Sequence, residues 1–147
     1  MATILLDSSV LVKWFIEEAG SDRASSIYRH FLAGRLSLAY AELSLFEVAN
    51  ALHFSGRFTA HDIAKAMTAL QTLNMQKAGF DSRALNRAAE LAAEHGTAIY
   101  DGYLVALAEQ NRWDFLTADQ RLLRRLIIYP FVYDFDLYPL PLVEDGA

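Results

Sequence analysis

The chain has 147 residues, 54% of them hydrophobic, with 13 basic and 18 acidic side chains and a net charge of −5. That length suits a single domain, residues 1–147, built on one core. The lack of cysteine excludes disulfides and thiolate metal sites, and no apolar run is long enough to cross a membrane, so no membrane contact and a cytoplasmic location are the expectation.

Residues 3–7 read as a first strand, ending in the run Ile4-Leu5-Leu6 with Asp7 behind it. A short helix over 9–18 follows. A second helix spans 22–33, with Ser21 as N-cap and Gly34 at C′. The alternation in Leu36-Ser37-Leu38-Ala39-Tyr40 predicts a strand. Ser44 opens a helix to about Phe54, stopped by Gly56. Thr59 with Asp62 forms a capping box for a helix to about Leu73. Residues 75–79 read as a short strand, and Asp81 or Ser82 caps a helix ending before Gly96. Residues 97–100 read as extended, 101–111 as helix, 113–117 as strand, and 119–125 as a helical turn or two.

All three prolines, Pro130, Pro139 and Pro141, lie in the last eighteen residues, with Tyr129, Tyr133 and Tyr138 beside them. Residues 127–135 read as an edge strand, because proline is tolerated only there, and the rest as a draped terminus that covers core or docks a partner. The alternation of strands and helices predicts an α/β fold, a parallel central sheet flanked by helices on both faces.

Four acids stand in the positions that such a fold uses for chemistry. Asp7 and Asp119 follow strands, where open parallel sheets place their ligand sites. Glu47 and Asp101 fall in the opening turns of amphipathic helices. Each also has a local explanation. Asp7 and Asp119 can cap the next turn, Glu47 can close a capping box with Ser44, and Asp101 suits a helix N-terminus. Thr117 can do similar capping work. Asn50 lies one turn after Glu47 on the same face, which favours a site over a cap. Asp101 heads a helix that is almost wholly apolar, so its carboxylate needs a metal ion or an arginine.

Together the four supply hard oxygen ligands suited to Mg²⁺ or Mn²⁺. Zinc is not expected, since His30, His53, His61 and His95 lack ligand spacing and read as surface or helix-end residues. Ser8 and Ser9 can bond phosphate or orient Asp7. Lys13 is either a phosphate contact or a salt-bridge partner. Arg121, Arg124 and Arg125 either hold a nucleic-acid backbone or form a solvated helix face. An acidic protein is an unusual nucleic-acid binder, yet removing the four site acids from the 18 leaves 14 against 13 bases.

These fragments resemble a PIN domain, and within it a VapC-type toxin ribonuclease of a type II toxin–antitoxin system. The resemblance covers residues 3 to about 123 and rests on Asp7-Ser8-Ser9-Val10 with Lys13-Trp14-Phe15, on Glu47-Val48-Ala49-Asn50-Ala51-Leu52, on Tyr100-Asp101-Gly102-Tyr103 leading to Leu107-Ala108-Glu109, and on Leu116-Thr117-Ala118-Asp119. Beyond Leu123 it fades into the divergent Pro/Tyr-rich tail, 127–147. It implies a Mg²⁺- or Mn²⁺-dependent endoribonuclease, a homodimer and a small antitoxin that blocks the site, with Asp7, Glu47, Asp101 and Asp119 as the acids. A metal-activated water is the expected nucleophile. Two other classes use parts of the same pattern. One is a phosphoacceptor or phosphohydrolase domain built on Asp7, although Ser9 stands where a second acid is usual. The other is a non-catalytic RNA- or protein-binding module.

Overall fold

The computed structural model describes residues 1–142, and the end of the tail, 143–147, lies outside the described residues. Five strands form one sheet in the order β3-β2-β1-β4-β5, every pair parallel. They are β1 (Thr3–Leu6), β2 (Ser37–Ala41), β3 (Gln76–Ala78), β4 (Asp114–Thr117) and β5 (Val132–Asp134). The chain winds outward from β1 through β2 to β3, then returns to the other side of β1 for β4 and β5. The order therefore reverses between β1 and β4, and a crevice opens there beyond their carboxyl ends.

Among the described residues seven α-helices cover both faces: α1 (Ser8–Leu11), α2 (Ser21–Leu32), α3 (Glu42–Phe54), α4 (Ala60–Thr72), α5 (Ser82–His95), α6 (Ile99–Asn111) and α7 (Gln120–Leu126). Period-two alternation splits the core in two. Leu5, Ala39 and Phe115 pack on one face against α5, α6 and α7. Ile4, Leu6, Leu38, Tyr40 and Leu116 pack on the other against α1 to α4. A strand buried on both faces needs an unbroken apolar run, which is why β1 reads Thr-Ile-Leu-Leu. The register fixes the site as well, with Leu6 opposite Leu116 and the Asp7 N–H donating to the Leu116 carbonyl at 3.0 Å.

Several boundaries differ from expectation. The helix expected over 9–18 is four residues of α1 followed by a 3₁₀ turn, Val12–Trp14. Gly20, at φ 88°, then reverses the chain and caps α2. Ser21 is not the cap: its hydroxyl accepts from the Glu18 N–H and donates to the Ile16 carbonyl. Helix α3 starts two residues earlier than expected, directly on the end of β2, and α6 already begins at Ile99. Thr59 and Asp62 do close the capping box. Gly34 does end α2, with the N–H of Gly34 bonding Phe31 O and that of Arg35 bonding His30 O. His30, at that helix end, is buried rather than superficial and meets Arg35 at 3.2 Å.

The edge strand expected over 127–135 shrinks to Val132–Asp134, because Ile127 to Tyr129 turn the chain away from α7. Phe135, Tyr138 and Leu140 of the tail cover core, while Leu137 and Leu142 are exposed. Phe135 is buried, Arg23 grips the carbonyls of Phe135 and Tyr138, and the Tyr138 hydroxyl donates to Asp114 at 2.8 Å. Among the described residues no helix is long and apolar enough to cross a membrane.

Candidate functional site

Asp7, Glu47, Asp101 and Asp119 line one cleft of about 170 Å³ with Ser8 and Ser9. It lies at the crevice between β1 and β4. Asp7 is the residue after β1, and Asp119 is two residues beyond β4. Glu47 projects from α3 and Asp101 from the first turn of α6. Gly102 lets α6 sit close on α5: a Cβ there would stand 3.0 Å from the Ala88 carbonyl oxygen. A bulkier neighbour to Asp101 would push the helix, and its carboxylate, away from the cleft.

Asp7 is only 4% exposed. It occupies the N-cap position of α1 but caps nothing with its side chain. Its Oδ2 instead accepts from the Ser9 hydroxyl at 2.6 Å and the Thr117 hydroxyl at 2.8 Å. Those hydroxyls in turn accept from the backbone N–H groups of Ala118 and Asp119. The start of α7 is thus tied through two side chains to one carboxylate. Burial pushes the Asp7 carboxyl above the ordinary range, against the opposing pull of its two hydroxyl donors.

The capping-box reading of Glu47 fails. Helix α3 begins at Glu42, so Ser44 is inside it, buried, with an unpartnered hydroxyl. Glu47 lies in the second turn. Its Oε1 is buried and accepts no hydrogen bond among the described residues. Burial, then the charges of Asp7 and Asp101, push its carboxyl up to about 7. Asp101 rises to about 6, again from burial first and then from Asp7 and Asp119. Asp119 keeps its local role, with Oδ1 accepting from the N–H groups of Arg121 and Leu122 to cap α7. Among the described residues none of the four acids forms an ion pair.

A buried, unpartnered carboxylate oxygen beside two other acids is costly unless a cation or a proton reaches it. The donor set is all oxygen, as Mg²⁺ and Mn²⁺ prefer. Among the described residues no three acidic or histidine side chains stand close enough to ligate one ion directly. Magnesium commonly binds through one or two carboxylates and keeps several waters, so the residues fit a hydrated ion.

The other expected residues divide. Ser8 and Thr117 belong to the cleft and its support. Asn50 is exposed, while Val12 and Ala51 line the cleft. The face of α3 that lines the cleft continues four residues beyond Glu47, at Ala51, not three. Lys13 pairs with Glu18 at 3.0 Å and with the Ala19 carbonyl at 2.8 Å, which realises its salt-bridge reading. Arg121 is exposed and lines an adjoining cavity.

The sequence matches the PIN domain family over residues 4–126. No curated protein matches it. Among solved structures, one from a toxin–antitoxin complex of Klebsiella pneumoniae is similar at 18% identity and a TM-score of 0.67, covering 88% of this chain and 95% of that one. A Pyrobaculum aerophilum protein aligns at 20% identity and a TM-score of 0.68, covering 92% and 85%. A Mycobacterium tuberculosis toxin that cleaves the sarcin–ricin loop aligns at 12% identity and a TM-score of 0.66, covering 82% and 93%. At these identities the likeness is one of fold.

Proposed function

The chain belongs to the PIN domain family, and we propose that it is a Mg²⁺- or Mn²⁺-dependent endoribonuclease, the toxin of a toxin–antitoxin pair. One observation carries the reading: four carboxylates from separate parts of the chain share a cleft that, among the described residues, holds no balancing base, with one Glu47 oxygen buried and unpartnered. Similar folds include a sarcin–ricin-loop-cleaving toxin and a toxin–antitoxin complex, which supports RNA as substrate and an antitoxin as partner.

Asp7, Glu47, Asp101 and Asp119 would hold a hydrated cation, one or two of them directly and the others through its waters. When bound, such an ion acidifies a coordinated water and offsets charge on the phosphoryl oxygens. Asp7 has its orientation fixed by Ser9 and Thr117, so one ligand is set before substrate arrives. Glu47 and Asp101 exchange a proton for the cation near neutral pH. Burial of Asp7 weighs against the phosphoacceptor alternative, since an acceptor oxygen must meet a phosphodonor in the open. A cytoplasmic location belongs to the same proposal.

A homodimer and an antitoxin both need apolar surface. Phe46, Phe80, Ile99 and Tyr100 are exposed around a groove of about 290 Å³. Trp14, Phe15, Tyr28 and Leu73 line another of about 310 Å³. Both support the partner expectation.

The test is cleavage of RNA by the purified protein. Cutting should stop in chelator and return with Mg²⁺ or Mn²⁺. Undiminished cutting in chelator rejects metal catalysis, and no cutting under any cation, with cation-insensitive RNA binding, favours the binding-module alternative.

A further inference from the structure

A second cavity, of about 260 Å³, adjoins the acidic cleft. Gly96, Thr97, Ala98, Arg121 and Arg125 line it, and Asp101 lines both spaces. Its chemistry is the reverse of the cleft's. Neither arginine pairs with an acid among the described residues. Arg125 donates through Nη1 to the carbonyls of His95 at 3.3 Å and Gly96 at 3.0 Å. This fixes its arm and leaves the rest of its fork open. The approach depends on glycine, because a Cβ at Gly96 would stand 2.6 Å from that nitrogen. The Thr97 hydroxyl oxygen is buried and has no hydrogen-bond partner among the described residues. Helix α6 starts on Ala98, which offers no capping side chain, so its first N–H groups lack a side-chain acceptor.

Two guanidinium groups, an unpartnered hydroxyl and an uncapped thirteen-residue helix all favour an anion with several acceptor oxygens. The adjoining cleft is the proposed place of phosphodiester cleavage. We propose that the arginine-lined cavity holds the phosphodiester next to the scissile one in the same RNA strand. Arg121 and Arg125 grip that flanking phosphate, and Asp101 marks the boundary between the two spaces. The assignment rests on the nuclease reading and deepens it. Asp101 is itself an anion that repels the flanking phosphate, and a cation in the cleft offsets it. Grip on the flanking phosphate therefore strengthens when the cation is present.

A short single-stranded RNA carrying one neutral methylphosphonate, moved stepwise past the cut, tests this. Arg121→Ala should raise KM about tenfold with kcat nearly unchanged, and should reduce the salt dependence of binding by about one unit of slope. A methylphosphonate at one flanking position should weaken the wild type, and should cost Arg121→Ala clearly less, since only Arg125 is left to feel it. Losses that multiply at every position, or a fall in kcat alone, overturn the assignment. Fluorescence anisotropy of the same RNAs on Glu47→Gln protein in Mg²⁺ separates the two claims. A position-specific pattern in binding without any wild-type cleavage keeps the phosphate subsite and rejects the nuclease. Metal-dependent cleavage with no position coupled to Arg121 does the reverse.

Discussion

At the C-terminal end of α6, Glu109 meets the Arg87 guanidinium at 3.0 Å, and the same guanidinium holds Glu90 at 2.9 Å. Close by, Asp81 accepts from the Ala84 N–H and the Gln110 amide, which hold its carboxyl below the ordinary range. At the N-terminal end of the same helix, Asp101 has no base and rises to about 6, and Glu47 across from it rises to about 7. The acids around one end of α6 are thus satisfied, and those around the other end are not. The first arrangement serves stability. The second sacrifices some stability to keep oxygens available for something the chain does not itself contain.

The largest expected effect separates the two ends directly. Asp101→Asn should lower RNA cleavage by at least about a hundredfold, as loss of a charge-stabilising group at a reacting centre does. Glu109→Gln should leave cleavage within about twofold, since Arg87 still has Glu90. Rates for both variants, with circular dichroism to confirm the fold, decide it. Equal losses at the two ends would remove the distinction.

The pH dependence sharpens the contrast. Glu47 and Asp101 bind protons more tightly folded than unfolded, because burial and neighbouring anions raise them to about 7 and about 6. Metal-free stability therefore falls as pH rises from about 4 to 7. Glu47→Gln should flatten part of that fall and raise the melting temperature at pH 7.5 by roughly 2 °C, a small gain because the group is partly solvated. At the proposed metal site, Mg²⁺ would compete with the same protons. The acid limb of cleavage should sit near pH 7 at low Mg²⁺ and move to lower pH as Mg²⁺ increases. A limb that ignores Mg²⁺ would show that these two acids do not bind it. Melting scans and pH–rate profiles supply both readings.

Much of this contrast was legible in the sequence. The apolar runs before Asp7 and Asp119 announced strand ends, and parallel-sheet topology then brought the two together, since every βα crossover delivers a strand end to the same edge. Element types held because burial on both faces writes a strong pattern. What failed was local chemistry read without its surroundings. Ser44 and Glu47 spell a capping box, but β2 runs straight into α3 and places the helix start at Glu42, so the motif falls inside the helix. Asn50 and Ala51 differ by one residue, and only the rotation of α3 against β1 decides which faces the cleft. The arginine-lined cavity left a fainter trace: Gly96 gave a helix stop, while the close approach of Arg125 that it permits joins residues far apart in sequence.

The smallest expected effect tests what makes the two ends differ. Arg87→Ala leaves Glu109 and Glu90 without their shared base, formally the condition of the acidic cleft. Exposed ion pairs contribute little, so stability should fall by no more than about 1 kcal/mol, or about 2–4 °C in melting temperature. Cleavage should not change. The two freed carboxylates remain in contact with water, which solvates them well without a cation. The variant should therefore gain no stabilisation by Mg²⁺ beyond that of the wild type. Extra Mg²⁺ stabilisation in Arg87→Ala would mean that removing a base is enough to create a cation site, and that the burial around Asp7 and Glu47 is incidental. No extra stabilisation makes burial the deciding variable: an acid becomes a cation ligand here where water is too scarce to satisfy it.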